Sequence, residues 1–203
     1  MSSEKRRYEL RARAARQAAT RERIVQATVD LHKEVGPART TVAEIARRAE
    51  VQRLTVYHHF PEDSQLLAAC QRHWLTEHPP PDHGPALALD DPQQRLRAVL
   101  VALYGWYRAT EPMSELVRRD RGLVPSLDTL LAKSMDVRMA DLSRALAAGF
   151  SRSGRPAKRM RAAVALALDF WTWHSLSREG LADEDAAALM TRAVATADTP
   201  PAR

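Results

Sequence analysis

Apolar residues recur every three or four positions along most of this chain, and glycine, proline and short polar residues fill the gaps between those runs. From Thr20 onward, Ile24, Ala27, Leu31 and Val35 trace one face of a helix that Gly36-Pro37 must end. Thr41-Val42-Ala43-Glu44 follows as a capping box, in which Thr41 and Glu44 can each satisfy a free backbone N–H at a helix start. Val42, Ile45, Ala46 and Ala49 give that helix an apolar face, and Val51, Val56 and Phe60 give one to a short helix after it. Pro61 opens a further helix carrying Leu66, Leu67, Cys70 and Trp74, which the run HPPPDHGP stops near His78.

Beyond the proline cluster, Asp91-Pro92 has the form of an N-cap followed by proline at the first helical position. Leu96, Val99, Leu100, Leu103 and Tyr107 predict a helix to about Thr110, with shorter material at 112–121 leading to Gly122. Pro125 opens a long helix to about Phe150, SRSGRP breaks the chain, and residues 156–178 predict another helix that Gly180 stops. Asp183 can cap a last helix carrying Leu189, Met190 and Val194. No segment alternates as a strand does. The expected fold is all-α with about nine helices: an N-terminal three-helix helix-turn-helix domain, then a larger helical domain. The expected divisions are a basic arm at 1–19, the first domain with its connecting helix at 20–78, a Pro-rich linker at 79–91 and the second domain at 92–203.

Charge changes this picture because of where it lies. Residues 1–60 hold 13 Lys/Arg and 7 Asp/Glu, whereas residues 61–203 hold 18 of each, so the whole excess of +6 sits in the first third. That asymmetry suits a polyanion-binding end on a neutral body, although a solvated basic helix would carry the same charge. The N-terminal residues lack the apolar core of a secretory signal, and no apolar run has the length of a membrane span. The single Cys70 excludes an intramolecular disulfide, and a reducing cytoplasm is the simplest setting. No glycine-rich phosphate loop, H-E-x-x-H or nucleophile elbow is present, so neither an enzyme nor a cofactor is expected. His58, His59, His73, His78 and His83 follow no regular zinc spacing, so no metal site is expected.

Two short helices joined by a tight turn, with an earlier helix packed across them, form a helix-turn-helix unit. The second is too short to persist alone in water, so packing through Val51, Val56 and Phe60 must hold it. Its opposite face carries Arg53, Leu54, Tyr57 and His58, beside Gln52 at the start. Arginine can pair with guanine O6 and N7, glutamine with adenine, and leucine can touch a thymine methyl. Hydroxyls of threonine and tyrosine, with free amides at the start of the preceding helix, suit phosphate oxygens. A polar face that only meets water is the plainer alternative, but exposed Leu54 and Tyr57 on a basic segment argue against it.

The runs TTVAEIARRAEV, QRLTVYHHFP and LLAAC resemble the N-terminal domain of the TetR family of one-component transcriptional regulators. The resemblance covers Thr20 to about Cys70, a quarter of the chain, and implies a DNA-binding repressor released by a ligand. It implies a recognition helix at about residues 52–59, with Arg53 and Leu54 at base edges. Thr55, Tyr57 and His59 would make backbone or mixed contacts, and Thr41 would cap a helix aimed at a phosphate. Three residues depart from the family pattern. Glu50 replaces the usual turn glycine, Leu54 fills a position often taken by glycine or alanine, and Asp63 stands where many members carry a phosphate-binding lysine. Lys5, Arg6, Arg7, Arg11 and Arg13 of the arm can compensate, by entering a minor groove as basic arms do; a disordered basic tail is the alternative.

The same resemblance implies a second domain for effector binding and dimerisation. A homodimer through residues of about 156–197 is expected, because RAAVALALDFWTWHSL is apolar on more sides than a surface helix should be. Val164 and Leu168 would then lie at the interface; a helix central to its own domain would look alike. Tyr104, Tyr107, Met113, Met135, Met139, Phe150, Trp171 and His174 can line a pocket for a mostly apolar organic effector, or be plain core. The expected partners are a double-stranded DNA operator, a second copy and a small molecule. The alternatives are an architectural, low-specificity DNA binder without an effector, and a metal-sensing regulator.

Overall fold

The computed structural model describes residues 3–150 and 154–197. The break expected at SRSGRP begins in 151–153, outside the described residues. Helices run α1 (Ser3–Glu34), α2 (Val42–Arg48), α3 (Arg53–His59), α4 (Asp63–Glu77), α5 (Gly84–Leu87), α6 (Pro92–Asp120), α7 (Pro125–Lys133), α8 (Met135–Ala147), α9 (Gly154–Leu168), α10 (Phe170–Arg178) and α11 (Asp183–Ala197). Among the described residues there is no strand, and the fold is all-α. The chain forms two compact units: Met1–Pro79 with Pro112–Leu130, and Pro80–Glu111 with the chain from Leu131 onward.

The first unit is built on the apolar faces read above. Ile24, Ala27 and Leu31 of α1, Ile45 and Ala46 of α2, Val56 of α3, and Leu66, Ala69 and Cys70 of α4 are all buried. Val35, expected on the same face of α1, is instead exposed, because the helix ends one residue before it. Gly36 then turns the chain with φ 90°, and a Cβ there would stand 2.3 Å from Asp120 Oδ2, so the turn needs glycine on two counts. Residues 3–19, expected as a basic arm separate from the first domain, are the N-terminal part of α1.

Three predicted helices differ from those observed. Residues 112–121 are not shorter material: α6 runs through Pro112 to Asp120. Proline there removes an N–H that would bond the Arg108 carbonyl, but Met113 is buried in the first unit's core and Val117 packs on it, which keeps the helix going. The helix expected from Pro125 to about Phe150 divides at Ser134 into α7 and α8. The helix expected at 156–178 divides at Asp169, in a stretch without glycine or proline. Asp169 caps α10 by accepting the N–H groups of Trp171 (2.8 Å) and Thr172 (3.1 Å). The buried Tyr104 and Tyr107 hydroxyls donate to the carbonyls of Ala167 (2.7 Å) and Leu168 (2.9 Å). Carbonyls at this break therefore keep partners inside the core.

In the second unit α9 packs against α8, α10 and α11. Leu100, Tyr104 and Tyr107 of α6 meet Leu146, Met160, Val164, Phe170, Trp173 and Val194 in one core. Val164 and Leu168, expected at a dimer interface, are buried inside the protomer.

Candidate nucleic-acid interface

The interface is built on α2 and α3. Thr41 begins α2 as its N-cap, with Oγ1 accepting the Glu44 N–H at 3.2 Å. The other half of the expected capping box is spent elsewhere, as Arg47 Nε donates to the Glu44 carboxylate at 3.0 and 3.2 Å. At the far end of α2, the Val51 N–H reaches Ala46 O (2.9 Å) and the Glu50 N–H reaches Arg47 O (3.3 Å). This is a Schellman turn, with Glu50 at φ 54° in the left-handed position that glycine normally fills. The turn thus keeps its geometry and carries a side chain.

That turn aims α3. Gln52 is its N-cap, and Val56 (1% exposed) and Phe60 (4%) anchor its inner side. Val51 is half-buried and packs on the same core. On the outer side Leu54 is 76% and Tyr57 51% exposed, and Gln52, Arg53 and His58 are exposed with them. Thr55 and His59 are half-buried at the flanks. Burial, then the nearby charges of His58 and Arg21, lowers the pKa of His59. The Arg21 guanidinium lies 4.5 Å from the Phe60 ring centre and braces the end of α3 against α1. Asp63 opens α4, exposed. Arg7 of the arm is exposed, and the side chains of Lys5 and Arg6 lie outside the described residues.

Two supports of this unit were not visible in the sequence. Arg48 grips Glu34 with two bonds of 2.6 and 2.7 Å, tying α2 to the end of α1 and engaging a cation that charge counting left free. Asp120, 1% exposed, accepts the Ala38 N–H at 2.9 Å and Arg119 Nε at 2.7 Å, while Arg119 also donates to Val35 O. Burial opposes the charge on Asp120, but the bonds from Arg119 and the Ala38 N–H, with the charges of Arg119 and Arg39, hold its carboxyl below the usual range. The buried His32 ring beside it is pushed down to about 4 by burial, against the pull of Asp120. Asp120 and Ala38 lie 82 residues apart and Arg119 and Val35 lie 84 apart, beyond any local pattern.

The residues expected to line an effector pocket divide between the units. Tyr104 and Tyr107 lie in the second unit's core with both hydroxyls engaged, and burial pushes the Tyr104 phenol pKa up. Met139 and Phe150 pack against that core, and Met135 is half-buried in the same unit. The His174 ring stacks on Phe170 at 5.7 Å, with Nε2 3.6 Å from Glu111. Trp171 is 41% exposed. Met113 belongs to the first unit's core. Among the described residues, no group of three His, Cys, Asp or Glu side chains can hold a metal, and no helix is long and apolar enough to cross a membrane.

Residues 24–70 match the family described as bacterial regulatory proteins, tetR family. The HTH-type transcriptional regulator BetI of Yersinia pestis is 35% identical over 82 residues, 39% of this chain and 41% of its own length. This chain thus spans well under two thirds of that relative. BetI of Burkholderia ambifaria is 29% identical over 150 residues, 72% of this chain and 76% of its own. A TetR-like transcriptional regulator from Rhodococcus sp. RHA1 superposes with a TM-score of 0.58 at 19% identity, over 87% of this chain and 94% of its own. That likeness is one of fold.

Proposed function

We propose, from the match of residues 24–70 to the tetR family of bacterial regulatory proteins, that this chain is a ligand-responsive transcriptional regulator of that family. In this reading it is a repressor that binds a palindromic operator as a homodimer and leaves it when a small, mostly apolar organic molecule binds the second unit. The observation that carries the reading is the outward face of α3, where Arg53, Leu54 and Tyr57 are exposed while Val56 and Phe60 are buried. Gln52, Arg53 and Leu54 read base edges, Thr55, Tyr57, His58 and His59 make backbone or mixed contacts, and Thr41 fixes the amides of α2 toward a phosphate.

Reading both halves of a palindrome needs two such helices about 34–36 Å apart, hence two copies. The second copy docks through α9, α10 and α11, whose outer faces expose Leu166 (58%), Trp171 (41%) and Leu189 (38%). The effector lies among Tyr104, Tyr107, Met135, Met139, Phe150 and His174. Replacing Arg53 with alanine tests the core of the proposal. Binding to the cognate site weakens by about 1–3 kcal/mol and one base position loses its preference. An equal loss on every sequence would make Arg53 a phosphate contact and favour a low-specificity binder.

A further inference from the structure

The N-terminal stretch of α1 is helical, exposed and basic, and the recognition surface does not account for it. Burial in α1 begins only at Ile24, and residues 7–11 and 13–19 are exposed. Tyr8 (74%) and Leu10 (61%) are exposed. Alanines at 12, 14, 15, 18 and 19 favour the helix, which continues a packed helix and so needs no nucleus of its own. Its charge is mostly of one sign: Arg7, Arg11, Arg13 and Arg16 against Glu9 alone within 7–19. Arg7 and Arg11 stand four residues apart, where like charges repel on a helix. A dense negative partner removes that repulsion.

Position supplies the partner. Arg21 lies against Phe60, the residue that closes the recognition helix, so the extension leaves the domain beside the end of α3. Thirteen residues of helix reach about 20 Å from there. A helix about 10–12 Å across does not enter a minor groove about 6 Å wide, so this segment cannot thread that groove as an extended arm does.

We infer that residues 7–19 of α1 form a rigid second contact element, presenting Arg7 and Arg11 on one face and Arg13 and Arg16 on the opposite face to the phosphates of the DNA flanking the operator. The inference rests on the DNA-binding reading above. It makes flanking duplex of any sequence part of the site, and it supplies phosphate contacts at a point in the fold where Asp63 cannot.

The test compares the full chain with R7Q/R11Q/R13Q/R16Q, on a duplex selected by the wild type from a random pool and made with flanks of about half or about two helical turns. Glutamine keeps helix propensity, and far-ultraviolet circular dichroism checks it. Wild-type affinity rises with the longer flanks, and its salt slope steepens by about 0.9 for each phosphate contact. The variant loses both effects and keeps the base preference; lysine at the four positions restores them. Equal slopes and equal flank dependence in the two proteins would overturn the inference. So would anionic vesicles that bind only the wild type while operator binding is unchanged. If the pool yields no bound duplex, the DNA-binding reading itself fails, and the flank contact with it.

Discussion

Glu50 occupies a backbone conformation that costs a non-glycine residue roughly 1 kcal/mol, yet the Schellman bonds around it are intact. Gly180, at the equivalent place after α10, makes the same two bonds with φ 84° and no such cost. E50G is therefore expected to stabilise the chain by a few tenths to about 1 kcal/mol, the relief being partly offset by the freer unfolded chain. Urea unfolding measures it, and a loss above about 1 kcal/mol would mean that the Glu50 side chain itself holds the turn. His32 makes a second residue-scale prediction. Its folded pKa of about 4 lies below the ordinary 6.5, so the folded state resists protonation. Stability is then full above pH 6.5 and falls by up to roughly 3 kcal/mol as the pH drops towards 4. The Asp120 contribution is lost only below its ordinary value of 3.8, at lower pH. Unfolding free energies across this range should flatten in H32Q; an unchanged slope would assign the loss to other groups.

At the scale of elements, local signals found what local interactions make. The Thr41 cap and the face of Ile45, Ala46 and Ala49 place α2, and Val56 with Phe60 orients α3, all within twenty residues of sequence. The breaks at Asp169 and the continuity through Pro112 were illegible because distant partners decide them. Leucine and alanine around Asp169 favour helix, and the break stands on hydroxyls that come from Tyr104 and Tyr107, some sixty residues away. Pro112 reads as a stop, and Met113 and Val117 overrule it by packing. The expected effector lining was the least legible, because a methionine and aromatic pattern is the same in a core and in a pocket, and Met113 lies in the first unit's core. Y104F leaves the Ala167 carbonyl without its buried donor and should cost about 1–3 kcal/mol in denaturant unfolding. No change in midpoint would mean that Asp169 alone holds the break.

At the scale of the whole molecule, the proposed function assigns DNA recognition and self-association to different surfaces, and substitutions can separate them. L166E is expected to give a folded monomer by sedimentation, with operator affinity reduced because one half-site is lost. V164E places a charge in the protomer core and should unfold the chain instead. A dimer surviving L166E would move the interface off α9. Whether the outer face of α3 reads base sequence is tested by selection from a random DNA pool with the wild type and with R53A in parallel. The expected result is a palindrome with half-sites one helical turn or a multiple of it apart, and one base position in each half that R53A no longer selects. An unstructured set of bound sequences, or a palindrome that R53A reproduces unchanged, would contradict it.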